Sequence, residues 1–221
     1  MHLETYSQTG QDLWVIGEVF NCAINGYFLD IGAHDGVNIS NTYLLEKNHG
    51  WQGLLIEANP NTFKSLEANR SSKAVNTCLD YKEGEVEFAL QDVVVNGGIV
   101  DPTLDNASAE GAEVIKVKTR RLEDVLEECG APANIHYMSI DVEGAEARIL
   151  LDFNFEKYSF ACMTIERPSL LLRQRLADLG YVLVREVPGQ DCFYIHGNLA
   201  KNYLNTSVQF YRRLASGKLG R

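Results

Sequence analysis

Apolar and polar positions follow two rhythms along this chain. Over residues 11–24, Leu13, Val15, Ile16, Val19, Phe20 and Ile24 recur at roughly helical spacing and predict a leading helix. Short apolar runs then alternate with capped helical stretches. Tyr27-Phe28-Leu29-Asp30-Ile31 reads as a short buried strand, followed by a glycine-bearing loop over residues 32–36. Ser40 and Asn41 are candidate caps for a helix that runs to about His49. Leu54-Leu55-Ile56-Glu57 is a second strand, stopped by Asn59-Pro60. Asn61 or Thr62 can cap a helix through Phe63, Leu66 and Ala68, and Ala74-Val75-Asn76-Thr77-Cys78 is a third strand. Strand, helix, strand, helix, strand predicts an α/β fold: a mostly parallel sheet with helices on both faces, joined by right-handed crossovers.

The middle of the chain changes rhythm. Residues 85–90 and 113–119 alternate polar and apolar side chains, as two antiparallel, half-exposed strands would. Between them lies a long loop, 91–111, carrying Gly97-Gly98, Asp101-Pro102 and Asp105-Asn106. A loop of that length reads either as a substrate lid or as a plain surface insertion. Residues 122–129 form a helix ended by Gly130, 135–140 a fourth core strand, 144–152 a helix and 160–165 a fifth strand. A helix over 170–179 closes at Gly180, and 181–187 with 192–196 make a hairpin around Pro188-Gly189. The tail, 198–221, carries Leu199, Tyr203, Phe210, Tyr211 and Leu214, suited to a packed helix or to a homodimer contact. With no internal repeat or low-complexity tract, the chain reads as one domain over 1–221: an N-terminal segment 1–24, a core 27–196 with the 91–111 insertion, and the tail.

Composition narrows the function. Apolar residues make up 45% and charged residues 23% of the 221, which excludes a disordered or collagen-like chain. Thirty acidic against 20 basic residues give a net charge of −10, unsuited to gripping nucleic acid through its phosphates, although a local basic pocket stays open. No apolar run approaches the ~18 residues of a membrane span, and the first residues, with Glu4 and Asp12, lack a signal pattern. Cys22, Cys78, Cys129, Cys162 and Cys192 are odd in number and far apart, with no C-x-x-C pair. That argues against a disulfide framework or a cysteine-rich zinc site, and leads to the expectation of a reduced, cytoplasmic chain.

In an open α/β sheet, ligands sit beyond the carboxyl ends of the strands. After the first strand comes Asp30-Ile31-Gly32-Ala33-His34-Asp35-Gly36. Gly32 and Gly36 permit a tight turn, while Asp30 and Asp35 make the loop acidic. Such a loop repels a pyrophosphate and suits a cationic group such as an amino-acid ammonium. The plain G-x-G-x-x-G pattern is absent. Glu57, at the end of the second strand, can accept hydrogen bonds from ribose hydroxyls, and Asp80 follows the third strand where an adenine would fall. A ligand with an ammonium, a ribose and an adenine is required, and S-adenosylmethionine (SAM) meets that description.

Several segments together resemble the FkbM family of SAM-dependent methyltransferases. They are Tyr6-Ser7-Gln8-Thr9-Gly10-Gln11-Asp12, Phe28-Leu29-Asp30-Ile31-Gly32-Ala33-His34-Asp35-Gly36, Ser40-Asn41-Thr42, Gly50-Trp51-Gln52-Gly53-Leu54-Leu55-Ile56-Glu57-Ala58-Asn59-Pro60 and Ser139-Ile140-Asp141-Val142-Glu143-Gly144-Ala145-Glu146. The resemblance spans most of residues 5–196 and implies a seven-stranded Rossmann-like class I methyltransferase fold and O-methylation, often of a sugar or polyketide hydroxyl. It also implies site roles. Asp30, Gly32, Asp35 and Gly36 form the methionine-side loop, and Ala33, His34, Ser40, Asn41 and Asp141 also bind the cofactor. Glu57 holds the ribose, Ala58 and Asn59 flank the adenosine, Asp80 sits near the adenine, and Gln8, Gln11 and Asp12 fold over the cofactor mouth. His34 departs from the asparagine common in the family.

The reacting end is expected at Asp141 and Glu166, which close the fourth and fifth strands. The pair could hold Mg2+ or another divalent cation; Asp141 could act as general base without metal; or both carboxylates could bind acceptor hydroxyls. Glu143 and Glu146 read as ordinary acids at a helix N-terminus, His136 as structural, and Arg120 and Arg121 as a solvated strand end. The expected reaction is methyl transfer from SAM to a hydroxyl of a small molecule or glycan. The rivals are a nicotinamide-dependent oxidoreductase and a non-catalytic SAM-binding module.

Overall fold

The structure is a computed structural model that describes residues 4–90, 97–104 and 111–216; parts of the expected 91–111 loop and the end of the tail lie outside the described residues. Its main sheet comprises β1 (Tyr27–Ile31), β2 (Gln52–Glu57), β3 (Lys73–Asn76), β8 (Asn134–Ile140), β9 (Ser159–Glu166), β10 (Tyr181–Glu186) and β11 (Asp191–His196). The smaller sheet comprises β4 (Cys78–Leu79), β5 (Gly84–Leu90), β6 (Gly98–Ile99) and β7 (Glu113–Arg120). The helices are α1 (Gln11–Leu13), α2 (Tyr43–His49), α3 (Pro60–Asn69), α4 (Leu122–Cys129), α5 (Glu146–Leu150), α6 (Leu170–Asp178) and α7 (Gly197–Ala215).

The seven-stranded sheet runs β10-β11-β9-β8-β1-β2-β3. From β9 to β3 neighbours are parallel, whereas β11 is antiparallel to both β9 and β10. Strand order reverses between β1 and β8, so the cleft that the sheet offers a ligand opens beyond the ends of these two strands. The central strands are buried on both faces, hence their unbroken apolar runs. One core layer joins Leu29, Ile31, Met138, Ile140 and Met163 to Leu126, Ile149 and Leu172 of the flanking helices. The opposite layer joins Phe28, Leu55, Tyr137 and Phe193 to Trp14, Val15 and Ile16.

Three expectations need adjustment. The leading helix is one α-turn, α1, that widens into a π-helix over Trp14–Val19 and stops there. Gly17 explains the tight packing at this point: an added Cβ would lie 2.2 Å from the Phe210 ring of α7. The third strand is really two. β3 ends at Asn76, and the chain then crosses to the smaller sheet at Cys78. The cap of α3 is Asn59, whose side chain accepts from the Asn61 amide, with Pro60 in the first turn. The antiparallel pair β5–β7 forms as expected, in register from Gly84↔Thr119 to Leu90↔Glu113.

The tail becomes α7, docked on the π-helix through Glu18. This carboxylate is 4% exposed and receives hydrogen bonds from Ser207 Oγ and Tyr211 Oη at 2.9 Å, from Tyr203 Oη at 3.3 Å and from Arg185. No helix among the described residues is long and apolar enough to cross a membrane.

Candidate functional site

A cleft of about 1060 Å³, open to solvent, lies between the ends of β1, β2 and β8 and the smaller sheet. The turn after β1 builds its floor. Gly32 has φ +82°, and a Cβ there would sit 1.8 Å from the Asp141 carbonyl oxygen, so the residue must be glycine. Its amide and that of Ala33 donate to the Ile56 carbonyl at 2.9 and 3.1 Å, while the Asp141 amide donates to the Ile31 carbonyl at 3.0 Å. These bonds stitch the three strand ends together.

Glu57 is fixed by the same turn. Its Oε2 accepts from the His34 amide at 2.8 Å and its Oε1 from the Asn59 amide at 2.7 Å. Burial outweighs these bonds and raises its pKa above the usual carboxylate value. Asp30 lines the cleft but is engaged from behind. Thr42 Oγ1 donates to it at 2.6 Å, and Arg70 stands nearby while pairing with Glu46 at 3.0 Å. Burial is the larger influence on Asp30 and raises its pKa. Asn41 reaches across to donate from Nδ2 to Ser139 Oγ at 2.9 Å. The buried Asn41 Oδ1 and His34 Nδ1 have no hydrogen-bond partner.

Of the residues expected around the cofactor, Asp30, Gly32, Ala33, His34, Ser40, Asn41, Glu57, Ala58, Asn59 and Asp141 line this cleft. The others stand elsewhere. Asp35 folds back on its own turn, accepting from the Val37 and Asn38 amides at 2.9 Å, and Gly36 backs onto Leu66 and Arg70. Gln8 is exposed. Asp12 is buried inside the N-terminal segment, accepting from Thr5 Oγ1, Ser7 Oγ and the Tyr6 amide. Gln11 donates from Nε2 to Asp191 at 2.7 Å. Asp80 makes a two-point ion pair with Arg148 of α5, at 2.8 and 2.5 Å. The cleft is lined instead by Thr77, whose amide donates to the Glu57 carbonyl at 3.1 Å, and by Cys78, Phe88 and the segment Gly97, Gly98 and Ile99. Sequence pattern does not single out these residues because they belong to a second sheet. The glycine pair inside the long loop is the one signal that points to them.

At the rim, Asp141, Glu143 and Glu166 each offer a carboxylate oxygen, all within 4.8 Å of one another. Arg167 Nη2 stands 2.8 Å from Glu166 Oε1 and 3.1 Å from Glu143 Oε2. Glu166 Oε2 is buried without a hydrogen-bond partner. Asp191, the register partner of Glu166, brings a fourth carboxylate alongside. Burial first and the neighbouring Glu166 second push Asp141 well above the normal carboxylate range. The same two causes, in the same order, raise Asp191 to about 6. Glu143 and Arg167 both have positive φ, at 54° and 35°. Such strained backbone in non-glycine residues concentrates at functional sites. Glu143, expected as a helix-end acid, thus joins the Asp141–Glu166 pair. Glu146 does keep the helix-end role: its Oε1 accepts from the Val142 amide at 3.0 Å, and burial raises its pKa to about 7.

A family model described as "Methyltransferase FkbM domain" matches residues 30–183, more than half of the chain. The chain belongs to the FkbM methyltransferase family. No curated protein matches it significantly. Among solved structures it is similar to methyltransferase FkbM from Methylobacillus flagellatus KT, at 14% identity and a TM-score of 0.51, covering 78% of this chain and 44% of that one. It is also similar to the METTL16 methyltransferase domain, at 12% identity and TM-score 0.49 over 84% of this chain and 65% of that one. A third similar structure is the N-terminal domain of human METTL16 in complex with SAH, at 14% identity and TM-score 0.46, covering 84% and 68%. The chain thus spans less than half the length of the first of these proteins and 65% of the second.

The chain carries a methyltransferase FkbM domain on a class I Rossmann-like architecture. Its cleft has chemistry that SAM would need: Glu57, held by two amides, would accept from a ribose diol; Cys78, Phe88 and Ile99 offer apolar surface to a flat base; and Asn41 Oδ1 and His34 Nδ1, the latter 3.7 Å from Asp35 Oδ1, are buried in the same cleft without a hydrogen bond.

Proposed function

We propose that this FkbM domain methylates a hydroxyl group of a polyol-like acceptor, a sugar or glycan by preference. The observation that supports this reading is the rim cluster of Asp141, Glu143 and Glu166, where Glu166 Oε2 is buried with its hydrogen-bonding capacity unspent. Adjacent carboxylates suit vicinal hydroxyls, each of which donates one hydrogen bond. The net charge of −10 disfavours a nucleic-acid acceptor.

When bound, SAM supplies a methyl carbon activated by its sulfonium. Glu57, Ala58 and Asn59 would hold the nucleoside end, and Asp30, Asn41 and the 32–34 turn the amino-acid end. Burial and the neighbouring Glu166 favour the protonated form of Asp141, which would donate a hydrogen bond to the acceptor. Glu166, steadied by Arg167 through Oε1, receives the acceptor's hydroxyl proton at its open Oε2. Fixing the acceptor oxygen in line is the larger contribution, worth up to ~7–11 kcal/mol.

A second reading has its own observation: three oxygen donors within 4.8 Å of one another could share a divalent cation, which would orient and acidify the hydroxyl. Transfer of labelled methyl to a panel of sugars, with and without EDTA and then Mg2+, tests both. Glu166→Gln is expected to lower turnover at least a hundredfold while SAM affinity, read by calorimetry, stays within twofold. Unchanged turnover on an accepted sugar refutes the proton-acceptor role, and EDTA-insensitive turnover refutes the metal.

A further inference from the structure

The outer wall of the cofactor cleft is a short piece of chain after a glycine pair. Gly97, Gly98 and Ile99 line the cleft, and among the described residues β6 pairs with β5 at Phe88↔Ile99 and Ala89↔Gly98, followed by the Val100 amide donating to the Glu87 carbonyl at 2.9 Å. A two-residue strand on a sheet edge opens easily.

The turn after β6 is better anchored. Asp101 uses its two carboxylate oxygens differently. Oδ1 accepts from the Thr103 amide at 2.9 Å and from Thr103 Oγ1 at 2.6 Å, which shapes the turn. Oδ2 receives Arg148 Nη1 at 2.9 Å. Arg148 is itself immobilised, because Asp80, with a 3% exposed side chain, takes its Nε and Nη2 at 2.8 and 2.5 Å. One guanidinium therefore ties three pieces of chain together: the end of β4, helix α5 behind the reacting rim, and the wall over the cofactor. A planar fork with five donors can do this, whereas an ammonium cannot bridge both carboxylates in fixed geometry.

We propose that Arg148 and Asp101 are positioning residues for the donor, holding residues 97–104 as the fourth wall of the SAM cleft. The proposal rests on the SAM reading of that cleft. It moves Asp80, expected beside the adenine, to a different role, in which Asp80 acts at one remove by aiming Arg148. It also assigns the described part of the long insertion to donor retention and not to acceptor choice.

Asp101→Asn is the informative variant, since asparagine keeps the turn-shaping oxygen but puts an NH2, which cannot accept, where Arg148 Nη1 donates, so both the charge and the hydrogen bond to Arg148 are lost; Asp80 still neutralises Arg148, so the fold survives. The variant is expected to bind SAM and SAH about 2–5-fold more weakly in calorimetry at low salt, as loss of a partly exposed ion pair implies. That gap should shrink by half or more at about 0.5 M NaCl, where screening weakens the wild-type pair. In steady state the loss should fall on the KM for SAM and not on kcat. In the protein without cofactor, hydrogen exchange at the Val100 amide should quicken, and Asp101→Glu should restore part of both effects. Wild-type SAM affinity in Asp101→Asn, or unaltered Val100 exchange, overturns the proposal. If the wild-type protein takes up neither SAM nor SAH, the reading of the cleft itself fails and the proposal falls with it.

Discussion

Gly32→Ala and Gly130→Ala form a matched pair that separates backbone strain from steric conflict at the heart of the site. Both glycines have positive φ, +82° and +67°. An alanine at either position bears the left-handed penalty of about 1–2 kcal/mol. At Gly130, where α4 ends, a Cβ meets nothing within 4 Å, so that penalty is the whole cost. At Gly32 the Cβ would lie 1.8 Å from the Asp141 carbonyl oxygen, against the 3.0 Å that real Cβ contacts respect. The turn must then retreat by more than an ångström, as the difference between those two distances requires. That movement stretches the Gly32–Ile56 and Asp141–Ile31 backbone bonds, each worth about 1 kcal/mol, and adds a packing cost of about 1–3 kcal/mol. Gly32→Ala is therefore expected to lose about 4–7 kcal/mol in urea unfolding with an unchanged m-value, and Gly130→Ala about 1–2 kcal/mol. Calorimetry with SAM should show binding lost in the first and kept in the second. Equal destabilisation of the two, to within about 0.5 kcal/mol, would refute the claim that the β1 turn is seated on the Asp141 backbone.

Stability should peak on the acid side of neutrality. Burial tends to raise the Glu46 pKa, but hydrogen bonds from Ser71 and Ser72 and the Arg70 charge overcome it and hold the group at about 2, against 4.5 when free. Its stabilisation is complete above the unfolded value and drains away as the pH falls toward about 2. Glu146, at about 7, and Asp191, at about 6, act in the opposite sense: the folded chain keeps their protons after the unfolded chain has released them, so stability declines as the pH climbs from about 4.5 to 7. Urea midpoints across pH 3–8 should therefore be highest between about pH 4 and 5, and a midpoint still climbing from pH 5 to 7 would contradict these assignments. Glu57→Gln should weaken SAM binding by about 10–100-fold, because one of the two amides on that side chain loses its carboxylate; an unchanged dissociation constant would remove Glu57 from the donor site. Glu18→Ala should leave SAM affinity within twofold but lower thermal stability, by loss of the anchor under α7, and an unchanged melting temperature would show that anchor to be idle.

Much of this architecture was legible because the buried strands are short, apolar and punctuated by glycine or proline. Tyr27–Ile31, Asn134–Ile140 and Ser159–Glu166 stand within a residue or so of their expected bounds. The strand after α3 misled because Ala74 to Cys78 is continuous in apolar character, although Thr77 turns the chain from one sheet to the other. That break also displaced Asp80: counted along one strand it falls near an adenine, whereas at the end of β4 it meets Arg148. Gln11 could not be placed from local pattern, since its partner Asp191 lies 180 residues away. The acidity of the 30–36 loop was visible, but its direction was not. Asp35 spends its charge on its own turn, and Asp30 shares Thr42 and Arg70 behind the cleft. The rim acids Asp141 and Glu166 were readable as strand ends; the positive φ that draws in Glu143 was not.

The mooring of the last helix carries a practical lesson. Three hydroxyls of that helix, spaced one face apart, converge on the single acid of Glu18. Trimming the chain before residue 197 would strip that acid of all three and leave Phe210's seat on Gly17 as bare hydrocarbon. What looks like a dispensable C-terminal appendage is in effect a plug, and shortened versions made for crystals or screening should be cut no earlier than the end of its described turns at Ala215.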